Sequence, residues 1–190
     1  MAGLESGVPI PTACQRKGDG ALLLRAWREE DADAITPHAA NPRVAGNMRD
    51  IFPHPYTRAD AEAFIRDCIS GSEERQLCRA IVADGQAVGG IALVRGTDVS
   101  FRSAELGYWL SKAYWGRGIM TQAVEQICRE AFDRWDIVRI YAEPFAYNAG
   151  SRRVLEKAGF ALEGIMRRGA CKNGRILDYC MYALLRDGAG

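Results

Sequence analysis

The segment from Glu105 to Ala123, ELGYWLSKAYWGRGIMTQA, constrains the fold and function of this chain more than any other. An apolar run ends at Leu110, and Gly116 and Gly118 follow just before a stretch with apolar residues at helical spacing. This order predicts a strand, a glycine loop and a helix. A helix start offers free backbone N–H groups and partial positive charge, and glycine lets a ligand approach the backbone. The segment therefore predicts a phosphate or pyrophosphate site.

Two glycines before a helix also occur in a plain tight turn, so the alternatives have to be weighed. A dinucleotide-binding fingerprint needs a third glycine, but residue 121 is threonine. A P-loop needs a Gly-Lys-Ser/Thr sequence, which does not follow here. The nucleotide-binding motifs of those two classes are thus excluded, whereas the turn and another phosphate-binding loop stay open.

The rest of the chain predicts one mixed α+β domain with helices against a sheet. Thr57 and Asp60 have the spacing of a capping box, Asn148 is a candidate helix cap and Gly159 a candidate terminator. We expect helices at 29–40 (ending near Pro42), 58–70, after Gly118 and at 149–157. Strands are expected at 22–27, 76–83, 87–95, 103–110, 137–142, 160–166 and 177–184.

Length and composition narrow the class of protein. At 190 residues the chain suits one domain, with residues 1–20 as a flexible lead-in and 21–186 as the folded domain. Lys and Arg (25) nearly balance Asp and Glu (24), which disfavours a nucleic-acid binder. No apolar run approaches the ~18 residues of a membrane span, and the first residues lack a secretory pattern. Six scattered cysteines and two histidines predict reduced thiols, no metal site and a cytoplasmic location.

Two sequence blocks together carry a family resemblance. Trp115 to Met120 looks like the acetyl-CoA motif of the GNAT superfamily in its RimJ/RimL form. Asn148 to Phe160 resembles the Asn-x-x-Ser helix and Gly-Phe exit of the same family. The segments Pro53–Thr57, Leu162–Gly164 and Asp178–Tyr182 match the RimJ/RimL branch too, so that the resemblance covers about residues 20–186. It implies a single-domain GNAT-like fold with a mostly antiparallel central sheet.

By this resemblance, the protein transfers an acetyl group from acetyl-CoA to a primary amine and needs no metal. Asn148 would contact the pantetheine arm and Ser151 would lie near the thiol. Arg152, Arg153 and Lys157 would meet the 3′-phosphate or simply form a solvated helix face. Backbone groups would line the pantetheine at Tyr108, Trp109 and Leu110, and cradle the pyrophosphate at Gly116, Arg117, Gly118, Ile119, Met120 and Thr121.

The catalytic groups are less well marked. Leu155 stands where many GNAT enzymes have a tyrosine that acts as the general acid. The resemblance to the RimL branch implies Ser151 as the acid instead, with polar positioning as its alternative role. Ala170 stands where the branch has a carboxylate. Resemblance to other members of the superfamily implies Glu143 as the first candidate base and Glu105 as the second. Strand alternation groups Glu105 with Gly107 and Trp109, which favours a buried or structural role for it.

The cost of neutralising the amine favours one acceptor class. At pH 7 an α-amine of pKa about 7.7 costs about 1 kcal/mol to deprotonate, against about 4.6 kcal/mol for lysine. A site without a strong base therefore favours a protein or peptide N-terminus. A small amine (aminoglycoside, polyamine or amino acid) is the alternative, although Arg43 and Arg49 against one acid, Asp50, in the segment 41–57 disfavour polycations. A non-catalytic acetyl-CoA-binding module is the third hypothesis, and the protein is expected as a monomer or homodimer.

Overall fold

A computed structural model describes residues 22–186, and the predicted lead-in at 1–20 lies outside the described residues. The helices are α1 (Asp31–Ala39), α2 (Pro42–Ala45), α3 (Arg58–Ser70), α4 (Ile119–Arg134) and α5 (Ala149–Lys157). The strands are β1 (Leu23–Arg25), β2 (Gln76–Ala83), β3 (Gln86–Arg95), β4 (Ser103–Leu110), β5 (Arg139–Ala142), β6 (Ala161–Lys172) and β7 (Arg175–Leu185). Single 3₁₀ turns follow β3 and β4, at Asp98–Ser100 and Lys112–Tyr114.

The strands form one sheet in the order β1-β2-β3-β4-β5-β7-β6. Its neighbouring strands are antiparallel except β4 and β5, which run parallel. That parallel pairing ends with Glu105 opposite Tyr141, although β4 continues to Leu110. The two strands therefore separate near the middle of the sheet, and the backbone groups beyond Glu105 on that edge of β4 face an opening.

Helices cover both faces of the sheet. On one face α4 packs on the central strands through residues such as Val124 and Ile127, and α5 adds Leu155. On the other face α1 and α3 pack over Trp27 and Trp109. Each apolar helix face is thus withdrawn from water, the main stabilising contribution to such a layered fold. Mixed sheet and flanking helices agree with the α+β fold expected from the sequence.

Local signals explain several boundaries. Thr57 accepts a hydrogen bond from the N–H of Asp60, whose carboxylate accepts the N–H of Thr57, which fixes the start of α3. The helix predicted at 29–40 is α1, which ends at Ala39, and Pro42 begins the short helix α2 with Asn41 as its cap. Proline suits a first helical turn because no N–H bond is needed there. No helix among the described residues is long and apolar enough to cross a bilayer.

Candidate active site

The glycine loop has the geometry of an anion cradle. Gly116 and Gly118 both have φ of +77°, a left-handed conformation that favours glycine. A Cβ built on either glycine would meet no atom within 4 Å, so the space above them is open. Within the described part of the chain, the N–H groups of residues 116–121 make no hydrogen bond. Open space and unpaired N–H groups at the start of α4 fit the pyrophosphate predicted for this loop.

The side chains around the loop hold its shape. The guanidinium of Arg117 lies 4.9 Å from the ring centre of Tyr114, in a cation–π arrangement. Trp115 donates its indole N–H to the carbonyl of Leu110 at 2.8 Å. Ile119 and Met120 bury their side chains in the core, so only their backbone groups are available to a ligand.

Ser151, in the first turn of α5, lies next to the side chain of Tyr108 on β4. The Tyr108 hydroxyl is 2.8 Å from Ser151 Oγ and 3.3 Å from the Ser151 carbonyl oxygen. Asn148 caps α5 by accepting the Ser151 N–H at 3.1 Å. Burial raises the pKa of the Tyr108 phenol well above its usual range, and the hydrogen bond with Ser151 opposes this only in part. Tyr108 therefore stays protonated at neutral pH and is able to donate to Ser151.

The Tyr108 side chain is a site residue that the sequence reasoning missed. The prediction for this position concerned its backbone alone. Strand alternation was the signal that could have found it, since Tyr108 and Glu105 have opposite parity on β4. The side chain of Trp109 points to the α1–α3 face, where it packs in the second core, so the two aromatic residues serve opposite faces of the sheet.

Both candidate bases meet one arginine. Arg49 Nη2 lies 2.5 Å from a Glu105 carboxylate oxygen and 2.7 Å from one of Glu143. A buried or structural role was expected for Glu105; the burial is not found, because its side chain is 33% exposed. It lies at the last β4–β5 pair, and Glu143 follows directly after β5. Burial raises the pKa of the Glu143 carboxyl; Arg49 opposes this rise and Glu105 adds to it. A raised pKa makes Glu143 a better proton acceptor.

A cleft of about 370 Å³ opens beside Glu143. The connection between α2 and α3 forms one wall with Arg49 and Asp50, and the β6–β7 hairpin forms another with Ala170 and Lys172. Ala170 thus lies in the same cleft as Glu143 but brings no carboxylate. Glu143 lines the cleft with a carboxyl group whose pKa is raised, which fits the predicted role of a base.

The three basic residues of α5 are not equivalent. Arg152 donates to the Tyr182 hydroxyl at 3.2 Å and to the Ala146 carbonyl at 3.3 Å. Arg153 and Lys157 are exposed and form no salt bridge among residues 22–186. The latter two are free to meet a phosphate, whereas Arg152 is held by the protein itself. The same part of the chain contains no group of three or more potential metal ligands.

Comparisons with known proteins agree with this geometry. The family model described as an acetyltransferase (GNAT) domain matches residues 21–161. The uncharacterized N-acetyltransferase p20 of Bacillus licheniformis is 31% identical over 173 residues, which are 89% of this chain and 96% of that protein. The ribosomal-protein-serine acetyltransferase of Escherichia coli (strain K12) is 29% identical over 86 residues, 45% of this chain and 48% of that protein. The structure of Mycobacterium smegmatis RimJ in complex with CoA-disulfide superposes with a TM-score of 0.74 at 26% identity, covering 87% of this chain and 82% of that one.

Proposed function

The chain belongs to the GNAT acetyltransferase family and uses acetyl-CoA to acetylate an amine, and we propose that its acceptor is the α-amino group of a protein or peptide. The observation that carries this proposal is the character of the base. Glu143 is a carboxylate that shares one arginine with Glu105, and Ala170 adds no further acid to the cleft. Such a site suits an amine that is easily neutralised.

The free energy of deprotonation sets the preference. At pH 7 the model α-amine requires about 1 kcal/mol and the lysine side chain about 4.6 kcal/mol, a difference of about 3.6 kcal/mol. Because a weak base offsets little of the cost of deprotonation, most of this free-energy difference between the two amines remains in the activation barrier. The E. coli relative, a ribosomal-protein-serine acetyltransferase, also supports a protein acceptor.

The proposed roles follow from where the side chains lie. The ammonium nitrogen first loses one proton to Glu143, which passes it to solvent. The neutral amine nitrogen then forms a bond to the thioester carbonyl carbon, the carbon–sulfur bond breaks, and Glu143 takes the second proton that the nitrogen loses. Ser151 donates its hydroxyl proton to the departing sulfur and regains one from solvent, with Tyr108 orienting Ser151 Oγ. Backbone N–H groups of residues 116–121 hold the pyrophosphate. Acetyl-CoA supplies the activated acyl group.

A pair of matched peptides tests the acceptor. One peptide has a free N-terminus and no lysine; the other has the same sequence with a blocked N-terminus and one lysine. We expect the α-amine peptide to be acetylated faster at pH 7, with kcat/KM rising with pH through about 7.7 as the amine loses its proton. Free CoA release and product mass measure both reactions.

A preference for the lysine peptide at pH 7 would contradict the proposal. It would require a base stronger than Glu143. Acetylation of small amines with neither peptide accepted would assign the cleft to a small-molecule acceptor instead.

A further inference from the structure

We propose that Glu105 and Glu143 form the binding site for the acceptor's ammonium group, and that Arg49 occupies this site until the acceptor displaces it. The inference deepens the proposed function, because it names the group that the cleft recognises before transfer. It applies to any primary amine and does not depend on the acceptor being a peptide.

The contact geometry is that of an ammonium site. One nitrogen atom, Arg49 Nη2, lies within 2.5 Å of a Glu105 oxygen and 2.7 Å of a Glu143 oxygen. Glu105 lies on β4 and Glu143 follows directly after β5, so a single point between the two strands receives both carboxylates. An ammonium nitrogen carries three N–H donors in one atom. It can therefore make both contacts from the position of Nη2 and keep one donor for a further partner.

Arg49 is suited to leave this position. Its side chain is 55% exposed, whereas those of Glu105 and Glu143 are 33% and 24% exposed. It projects from the connection between α2 and α3 rather than from a helix or strand. Exposed ion pairs contribute only about 0–1 kcal/mol each, so that a competing cation is able to replace it. Glu105 is thus held by β4 and Glu143 by the residue next to the end of β5, whereas the cation is held by a longer connection.

The charge around the two carboxylates favours a cation between them. Two carboxylates face one guanidinium, which leaves one negative charge when both acids are ionised. The other cations nearby are already engaged: Arg139 pairs with Glu163 at 2.5 Å, and Lys172 pairs with Asp50 at 3.0 Å. Tyr141, opposite Glu105 in the sheet, has a pKa raised by burial and is neutral at pH 7.

The cleft brings the acceptor to this place. Arg49 and Glu143 both line it, so an amine that enters has access to the Glu143 carboxylate and to the guanidinium that pairs with it. Once the ammonium has replaced Nη2, Glu143 is in contact with the proton that has to leave. Recognition and deprotonation of the amine then use the same carboxylate.

Calorimetric titration tests the proposal without turnover. The enzyme is first saturated with CoA, and then titrated with a lysine-free hexapeptide carrying a free N-terminus, with the same peptide N-acetylated, and with n-butylamine. Removing the resident cation in Arg49→Gln should tighten binding of the free amines about three- to fivefold. Glu105→Gln should weaken it by a similar factor, because one carboxylate contact is lost. The acetylated peptide should respond to neither change.

Arg43→Gln is the matched control. Arg43 is an exposed arginine of α2 that forms no salt bridge among the described residues, and its loss changes the net charge equally. Free-amine affinity in this variant should stay within about twofold of wild type. The proposal would be overturned if Arg49→Gln bound the free amines no more tightly than wild type, or if Arg43→Gln showed an equal gain in affinity. It would also be overturned if no free amine bound to wild type or to Arg49→Gln. If n-butylamine responds as expected while no peptide is acetylated, the ammonium site stands and the peptide acceptor is rejected.

Discussion

The hydroxyl groups of Ser151 and Tyr108 are hydrogen-bonded to each other, and substituting each residue in turn distinguishes their roles in catalysis. Ser151→Ala removes the group that we propose protonates sulfur, so kcat should fall about 10- to 100-fold. Acetyl-CoA affinity should change little, because the glycine loop is untouched. The cap of α5 also survives, since Asn148 accepts the backbone N–H of residue 151 rather than its hydroxyl.

Tyr108→Phe tests the partner in the same experiment. It should lower kcat by a smaller factor, because Ser151 keeps its own proton but loses its orienting contact. The double variant should be no slower than Ser151→Ala alone, as expected for two groups acting as one unit. Steady-state kinetics with thermal unfolding as a stability control measures this. Full kcat in a folded Ser151→Ala protein would remove Ser151 from the mechanism, and additive losses would separate Tyr108 from it.

At the scale of the elements, the loop before α4 allows a test with a matched control. Gly118→Val places a branched side chain at φ +77° and in the space proposed for the pyrophosphate. Gly85 in the β2–β3 turn has φ +79° and the same open surroundings, so Gly85→Val carries the backbone strain alone. Both variants should lose about 1–2 kcal/mol of stability. Gly118→Val alone should lose acetyl-CoA affinity by calorimetry; equal affinity in the two folded variants would reject the loop assignment.

Some helices and strands have bounds that are determined by the sequence next to them. The predicted bounds of α3, β2, β4 and α5 match the structure, because caps and turns next to each element fix its ends. The β6–β7 hairpin was predicted too short, at 160–166 and 177–184 against 161–172 and 175–185. Its outer residues are exposed and without an apolar pattern, since β6 is an edge strand whose length depends on pairing with β7. A contact made by a neighbour in space leaves no periodic signal in the sequence.

The same distinction applies to the site. Gly116, Gly118, Asn148 and Ser151 belong to contiguous motifs and could be found from the sequence. Arg49 could not, because it reaches Glu105 and Glu143 across 56 and 94 positions of the chain. Which carboxylates meet, and which cation joins them, is decided by where β4 and β5 separate and by the loop that crosses this opening.

At the scale of the whole molecule, the loop of residues 46–50 forms one wall of the cleft and is tied to the C-terminal half of the chain by two contacts. Tyr147 donates its hydroxyl to the Gly46 carbonyl at 2.5 Å, and Lys172 on β6 pairs with Asp50 at 3.0 Å. Lys172→Gln should release one of these ties and let the loop move. We expect KM for the acceptor to rise about three- to tenfold, with KM for acetyl-CoA unchanged, because the glycine loop lies on another part of the fold.

The stability of Lys172→Gln should stay near that of wild type although its KM for the acceptor rises. This difference would show that the ion pair positions the loop rather than stabilising the fold. A partly exposed pair contributes at most about 1 kcal/mol, so thermal unfolding of Lys172→Gln should differ little from wild type. Arg102→Gln is the control: it breaks an exposed pair with Asp136, 2.9 Å apart and outside the residues that line the cleft, with the same change in net charge. Faster amide exchange at 46–50 in Lys172→Gln alone would accompany the rise in KM. If Arg102→Gln raised the acceptor KM equally, net charge and not the loop would govern acceptor binding, since Arg102 and its partner Asp136 lie outside the residues that line the cleft.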